Sequence, residues 1–588
     1  MAEAAVALGV EQLAGIGAHN QAFAKLEMLH EEIGAALARR KSNGFVRRAI
    51  KAWYRGDVAR CAKLSLWATE ADENNAPAYH VLAMALEKMG HTHKALVTYE
   101  HAYNLDPSDP ELLINLGLTA WNMKLRDIAE TLFRHYISAR PDSPLGYNNL
   151  GSIQCDMGRS TTAIETLQGA IYRMPNEAML WNSLATVLAE VGRSEESLVF
   201  YQEAIRLEPQ FSRPWHNLGY AFTHIGKMEE ALEAYEKALQ LVLDPGERLE
   251  TEHSRSICLI GMGQLEEGWR TYEVRNDPRF RAYVHQVGDL RIWEGEALDG
   301  KRILVTGEQG LGDEFMFANI LPDIQRAVGE AGKLQIAVDP RLIPLFQRSF
   351  PDAEVGTYDD RRTGQAGSDK ELRLINWAVK NGKPDFHTPM GSALRFLRTA
   401  LSQFPHEAFL KADPERVAAY RKQLEAIGPG PYVGICWRSM KIDVKRAKYY
   451  SALDIWGPIL KTPGVTFVNV QYGDCAAELM HACDLHGVDV HVIDGLDLKN
   501  DIDGAAALST ALDLVISAPT AAAATSGSVG TETWFLTAGR TWPQLGTEEF
   551  PWYARSRVLC PENFGDWEAL MSKAADALAG FVKDRAAI

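Results

Sequence analysis

Residues 438–448 gather Arg438, Lys441, Lys445, Arg446 and Lys448 against a single acid, Asp443, in a chain whose formal net charge is −16. Cations packed this densely suit a phosphate or a carboxylate, because arginine offers a bidentate fork and lysine a point charge. The bland alternative is a solvated basic loop. A second segment, Gly307-Glu308-Gln309-Gly310-Leu311-Gly312-Asp313, is a glycine-rich turn ending on a carboxylate where a helix should begin. Asp313 suits two tasks there: capping the helix, or taking a proton from a hydroxyl as general base. In a third segment, Asp513 to Thr520, Ser517 and Thr520 precede the small-residue run Ala521–Ala524. Thr520 is either an ordinary N-cap or a donor that presents its hydroxyl and the helix N–H groups to an anion. Glu308 and His387 lie near predicted strand ends and are further candidates, His387 on the side of an acceptor. Asp501-Ile502-Asp503 has the look of a metal-binding carboxylate pair. It precedes a predicted helix, 504–512, so capping is the better reading and no metal is expected.

These residues need a scaffold, and the second half of the chain predicts one. Short apolar runs at 301–306, 334–338, 432–436, 465–470, 488–493, 512–517 and 533–536 alternate with helical stretches. Near-continuous apolar strands separated by amphipathic helices argue for parallel sheets covered on both faces. Two such blocks, 295–410 and 430–588 with a final helix, form two Rossmann-like domains. Ligands of such folds sit at the carboxyl ends of the strands, and the basic segment follows directly on the strand 432–436.

The first half repeats itself. Cut at Ala76, Pro110, Pro144, Ala178 and Ser212, it yields five blocks of 34 residues. Position 7 is always leucine, position 8 is small (Ala83, Gly117, Gly151, Ala185, Gly219), and position 20 is small (Ala95, Ala129, Ala163, Ser197, Ala231). Position 24 is large (Tyr99, Phe133, Leu167, Tyr201, Tyr235), and Pro107, Pro141, Pro175 and Pro209 stand at position 32 of the first four blocks. Small residues let two helices approach, large ones fill the space between them, and proline stops the second helix. The pattern resembles the tetratricopeptide repeat (TPR) family over 42–282. A weaker block starts near Ser42, with Ala49, Cys61 and Ala68 at the small places, and a block around Gly261–Trp269 is expected to cap the stack. Residues 1–41, with Phe23, Leu26, Leu29, Ile33 and Leu37 at helical spacing, predict a leading amphipathic helix that covers the end of the array. A TPR array presents a concave surface to a peptide or protein. Position 6 carries Asn115, Asn149 and Asn217, and a primary amide pairs with any peptide backbone. This ladder is similar to the one that grips acceptor polypeptides in O-GlcNAc transferases; the alternative is that it only orders contacts between helices.

Length and composition agree with this organisation. The 588 residues suit three to four domains, and 46% apolar with 23% charged residues is ordinary for packed protein. No run approaches the roughly 18 apolar residues of a membrane span. The acidic balance argues against generic nucleic-acid or anionic-membrane binding. Seven scattered cysteines without a CxxC pair read as reduced thiols of a cytoplasmic protein.

The three chemical segments resemble those of GT-B glycosyltransferases. The 307–313 turn looks like the GxGD turn of heptosyltransferase-like enzymes, in which the aspartate is the proposed base. The 434–448 segment is similar to the donor-phosphate segment of those enzymes and of O-GlcNAc transferases. At 513–520 the family more often has Asp-Thr where this chain has Pro519-Thr520. The resemblance implies an α-solenoid followed by an α/β GT-B fold, with Asp313 as catalytic base. Arg438, Lys441, Lys448, Ser517 and Thr520 would bind the donor, and Asn115, Asn149, Asn217 and His387 the acceptor. GT-B enzymes use no metal or resident cofactor, so cations and helix N-termini neutralise the leaving phosphate. As a whole the chain resembles bacterial TPR-containing flagellin glycosyltransferases. These imply flagellin as the protein partner and a nonulosonic sugar such as pseudaminic acid, CMP-linked, as donor. Two alternatives stand beside this: a transferase using UDP-GlcNAc or ADP-heptose on other acceptors, and a TPR scaffold or chaperone without turnover.

Overall fold

The computed structural model describes residues 2–277, 279, 284–286, 290–308, 310–362, 371–440, 442 and 444–586. Contacts divide them into two compact units, one of residues 1–154 and one of the described residues from Cys155 onward.

The first unit is helical. A long helix, Ala2–Tyr54, is followed by Val58–Ala71 and then by the paired helices of the first two 34-residue blocks, up to Ala139. Residues 1–41 therefore form no separate leading helix. No proline or turn sequence interrupts 42–54, so the helix continues, and its last turns bury Val46, Ala49 and Ala52 as the first helix of the weak block. Of the expected stripe, Leu29, Ile33 and Leu37 are between 51% and 61% exposed rather than covering the array, and the side chains of Phe23 and Leu26 lie outside the described residues.

Packing within a block follows the predicted pairing of small and large positions. A Cβ on Gly117 would lie 2.6 Å from Phe133 Cε1, and one on Gly219, in the second unit, 2.9 Å from the Tyr235 ring. Position 8 is thus small because position 24 fills its place. Ala95, Ala129, Ala163 and Ala231 at position 20 are fully buried. The turn between the two helices adds a regularity that residue types alone hide. Gly90, Lys124, Gly158, Gly192 and Gly226 share position 15 and all have positive φ, the left-handed region in which glycine is favoured.

The second unit continues with helices from Ser160–Arg173 to Leu265–Tyr272, then turns to alternating strands and helices. The strands are β1 (Val284–Gln286), β2 (Arg291–Ile292), β3 (Arg302–Thr306), β4 (Lys333–Val338), β5 (Glu354–Thr357), β6 (Asp359–Arg362), β7 (Glu371–Leu374), β8 (Phe386–Pro389), β9 (Tyr432–Cys436), β10 (Thr466–Asn469), β11 (Val490–His491), β12 (Leu514–Ser517), β13 (Thr533–Leu536) and β14 (Ser556–Leu559). One sheet has the order β2-β8-β3-β4-β5, a second β11-β10-β9-β12-β13-β14, and every pairing in both is parallel. A small third sheet has the order β1-β7-β6. The expected strands are present, and the one expected over 488–493 shrinks to Val490–His491. Strands β1, β2, β5, β6, β7, β8 and β14 lie outside the sequence expectations: each is two to four residues long and lacks a continuous apolar run.

The last helical block does more than close the array. Ile260, Leu265, Trp269 and Tyr272 share one core with Ile303, Val305, Phe315, Ile336 and Trp552 of the α/β part. Trp269 is buried, donates its indole N–H to the Arg398 carbonyl at 2.9 Å, and meets Trp542 and Trp552 edge-on. The array thus ends inside the core of the first sheet rather than on a linker.

Candidate functional site at the strand ends of two parallel sheets

A cavity of about 630 Å³ lies between the carboxyl ends of the two sheets, lined among others by Asp313, Arg341, Arg446, Lys499, Thr520 and Tyr553. This is where an α/β arrangement opens a crevice, because connections leave the strand ends in opposite directions.

The turn after β3 supplies Asp313. Gly310 is extended and stands at the N-cap of helix Leu311–Phe317; Asp313 Oδ2 reaches back to accept its N–H at 3.0 Å. The carboxylate therefore caps the helix and also lines the cavity. Loss of hydration pushes its pKa up to about 6, and the nearby Glu308 charge adds to the rise. The Gly310 N–H and the Arg446 guanidinium pull the other way. A carboxylate so poised is ionised at neutral pH and still basic enough to accept a proton.

Opposite it, helix Ala521–Ser528 begins at Thr520. The two helices start side by side: a Cβ on Gly312 would touch the Ala521 backbone at 3.9 Å. Thr520 makes no side-chain cap bond; its hydroxyl lies 3.2 Å from Ser517 Oγ and 3.5 Å from Cys436 Sγ. Ser517, fully buried, donates to the Ala518 carbonyl at 2.6 Å. Of these two hydroxyl residues only Thr520 lines the cavity, with the first residues of its helix. Helix N-termini carry partial positive charge and favour anions.

The basic segment after β9 divides. Lys441 lies outside the described residues. Arg438 forks onto Glu478, with Nε 2.8 Å from Oε2, and also donates to the Asp474 carbonyl at 3.0 Å; it is not among the cavity residues. Lys448 donates to the Ala189 carbonyl at 3.0 Å, at the C-terminal end of helix Ala178–Glu190. The physical reason is the same in both: a partner distant in sequence takes the cation. Among the described side chains of this segment, Arg446 is the cation that lines the cavity; the Lys445 side chain lies outside the described residues.

Two cavity cations among the described residues, Arg341 and Lys499, lay outside the expectations. Arg341 grips Asp339 through two bonds of 2.8 and 2.9 Å and donates to the Lys499 carbonyl at 3.1 Å. Behind it, Glu314 is buried and accepts the Asp339 N–H at 2.9 Å and the Tyr358 hydroxyl, with Arg373 at 3.6 Å. Burial raises its pKa to about 7. Gly307 is glycine because a Cβ there would sit 2.5 Å from this carboxyl.

The remaining candidates lie elsewhere. His387, on β8, is buried with Nε2 3.1 Å from Thr306 Oγ1, inside the sheet rather than on the cavity. Glu308 is paired with Arg275 at 2.7 and 3.0 Å and accepts the Gly391 N–H at 2.6 Å. Asn115 contacts His80 Nε2 at 2.8 Å, and Asn217 donates to Asn182 Oδ1 at 2.9 Å. Each such partner stands at position 5 of the preceding block, so these amides tie successive repeats together. Asn149 finds Ile114 at that place, and its buried Nδ2 has no partner among the described residues. Asp501 caps helix Ile502–Ala511 by accepting the Gly504 N–H at 2.9 Å, while Asp503 binds Arg348 at 2.7 and 2.9 Å. Among the described residues no three metal-ligating side chains cluster, and no helix is long and apolar enough to cross a membrane.

Comparison with known proteins extends the repeat reading. Tetratricopeptide repeat models match residues 76–109, 179–211 and 212–242. Over 536 residues the chain is 41% identical to "Protein FlbA" of Caulobacter vibrioides, covering 91% of this chain and 89% of that protein. The chain belongs to the FlbA family. Similarity to the FlbA protein thus runs through repeats and α/β half alike. Among solved structures, a tetratricopeptide repeat protein from Parabacteroides merdae is 15% identical over 36% of this chain and 84% of its own, with a TM-score of 0.33. TTC0263, a TPR protein of Thermus thermophilus, is 22% identical over 32% of this chain and 99% of its own, with a TM-score of 0.28.

Proposed function

We propose that this chain is a metal-independent protein O-glycosyltransferase of the GT-B type. Its repeats hold a polypeptide, flagellin, and its inter-sheet cleft transfers a nonulosonic sugar, pseudaminic acid, from a CMP donor to Ser or Thr hydroxyls. One observation carries the reading: a basic-edged cleft at the strand ends of two parallel sheets holds a carboxylate with a pKa of about 6, beside a helix N-terminus. In this reading Asp313 takes the proton of the acceptor hydroxyl as its oxygen bonds to the anomeric carbon. The bond from that carbon to the phosphate oxygen breaks, and the nucleotide leaves with both electrons. Arg446 and the N–H groups that open helix Ala521–Ser528 meet the growing negative charge, and Lys499 suits the donor carboxylate.

A second reading, a TPR scaffold without turnover, draws support from the attachment of Arg438 and Lys448 to protein partners. Intact mass of a cognate flagellin separates the two. The full chain is incubated with flagellin and, in separate tubes, CMP-pseudaminic acid, UDP-GlcNAc and ADP-heptose. A sugar-sized gain with the CMP donor, absent in Asp313→Ala, is the expected result. A gain with another donor reassigns the donor. Flagellin binding without any gain favours the scaffold.

A further inference from the structure

A second cavity, of about 500 Å³, opens beside the cleft and shares Arg446, Tyr450, Trp542 and Phe550 with it. One wall comes from the repeats: Tyr220 and His224 on helix Ser212–His224, and His253, Ser254 and Ile257 on helix Pro245–Gly261. The other wall comes from the α/β part, with Tyr449 and Phe564. The lining is rich in aromatic rings. His224 stacks on Phe564 at 5.6 Å and contacts the Tyr449 hydroxyl at 2.8 Å through Nε2. Its Nδ1 is buried without a hydrogen-bond partner among the described residues.

We infer that this chamber seats an apolar side chain of the acceptor polypeptide next to the hydroxyl that enters the cleft, so that it selects acceptor sites flanked by aliphatic or aromatic residues. The occupant follows from the walls. One is built by successive repeats, whose inner surface suits an extended polypeptide, and the chamber runs into the cleft where a hydroxyl would meet Asp313. The charges in the lining are Arg446, shared with the cleft, and Arg540, already paired with Glu548 at 2.6 Å, so rings dominate what an entering side chain meets and favour an apolar one. This inference rests on the acceptor part of the proposed function, but its test needs no sugar transfer.

The probes are two capped heptapeptides, one with serine between leucine and phenylalanine, the other with aspartate at both flanking places. Calorimetry on the full chain measures both, with CMP as a control for the cleft. The expected result is at least tenfold tighter binding of the apolar peptide. In Ser254→Trp, which fills the chamber, the difference falls to within twofold while CMP binds as before. Phe564→Ala, which widens the chamber, serves as the second variant and weakens the apolar peptide alone. Equal binding of the two peptides to the unaltered chain overturns the inference, as does undiminished preference in both variants. Sugar transfer without flank preference overturns the chamber and spares the transferase. Flank preference without transfer does the reverse.

Discussion

Asp313 carries opposite demands, since it caps a helix and lines a cleft at once. Its pKa is raised in the fold, so folding favours the protonated form relative to the unfolded chain. The associated stability is present below the unfolded value, about 3.9, and is lost as pH rises through about 6. Asp313→Asn keeps an oxygen for the Gly310 N–H and removes the charge. It is expected to raise Tm at pH 7.5 while abolishing transfer; a lower Tm would mark the charge as structural. The activity of the unaltered chain should rise with pH through about 6, because the base must be ionised. Arg446→Met removes a cation that holds this pKa down, so the acid limb should move to higher pH. Nucleotide affinity should drop by roughly tenfold, about 1.5 kcal/mol for a lost charged hydrogen bond. A pH–rate profile with calorimetry checks both.

At the scale of the helix, packing tolerance is set by pairs. Gly117→Val and Gly219→Val drive a side chain into Phe133 and Tyr235, and each should cost about 1–3 kcal/mol as overpacking; urea unfolding measures it. The last repeats also hold three neutral histidines, His224 buried and His216 and His253 half-buried. Burial lowers the pKa of His216 and His253 to about 4 and of His224 to about 3. Stability from these groups is full above about 6.5 and is lost as pH falls below it, since the unfolded chain binds the protons first. Tm should therefore fall between pH 7.5 and pH 5, the three histidines outweighing the opposite contributions of Asp313 and Glu314. In His253→Phe, whose ring can keep the stack on Tyr272, the slope should be flatter; an unchanged slope would exclude this cause.

In the second unit as a whole, the repeats from Ser160 onward and the α/β part fold together. Trp269 sits in a shared core, and Lys448 bonds to the end of helix Ala178–Glu190. Lys448→Met should cost about 1.5–3 kcal/mol of stability, the range for a charged hydrogen bond, and leave nucleotide affinity unchanged. A loss of affinity would return Lys448 to the donor site. By the same logic, a fragment starting at residue 290 should be insoluble, whereas one starting at 155 should fold cooperatively; circular dichroism and calorimetry distinguish them.

What the sequence determined by itself is whatever repeats or alternates locally. The 34-residue spacing, the pairing of small position 8 with large position 24, and the apolar runs of β3, β9, β12 and β13 all act between neighbours in the chain or across one helix pair. The glycine-rich turn likewise led to Asp313. Strands such as β2, β8 and β14 stayed hidden because their few residues lack an apolar run and owe their place to neighbours already paired. The fate of each cation was decided by tertiary structure alone. Glu478, 40 residues from Arg438, and Ala189, 259 residues from Lys448, bind two of the five basic residues in one short segment. Arg341, far from that segment in the chain, is brought to the cleft. The asparagines at position 6 were legible as a ladder, yet their partners one repeat away turn two of them into ties between helices. Charge and hydrogen-bonding capacity belong to the residue type, but a group's task depends on which partner reaches it first, and that is a property of the fold.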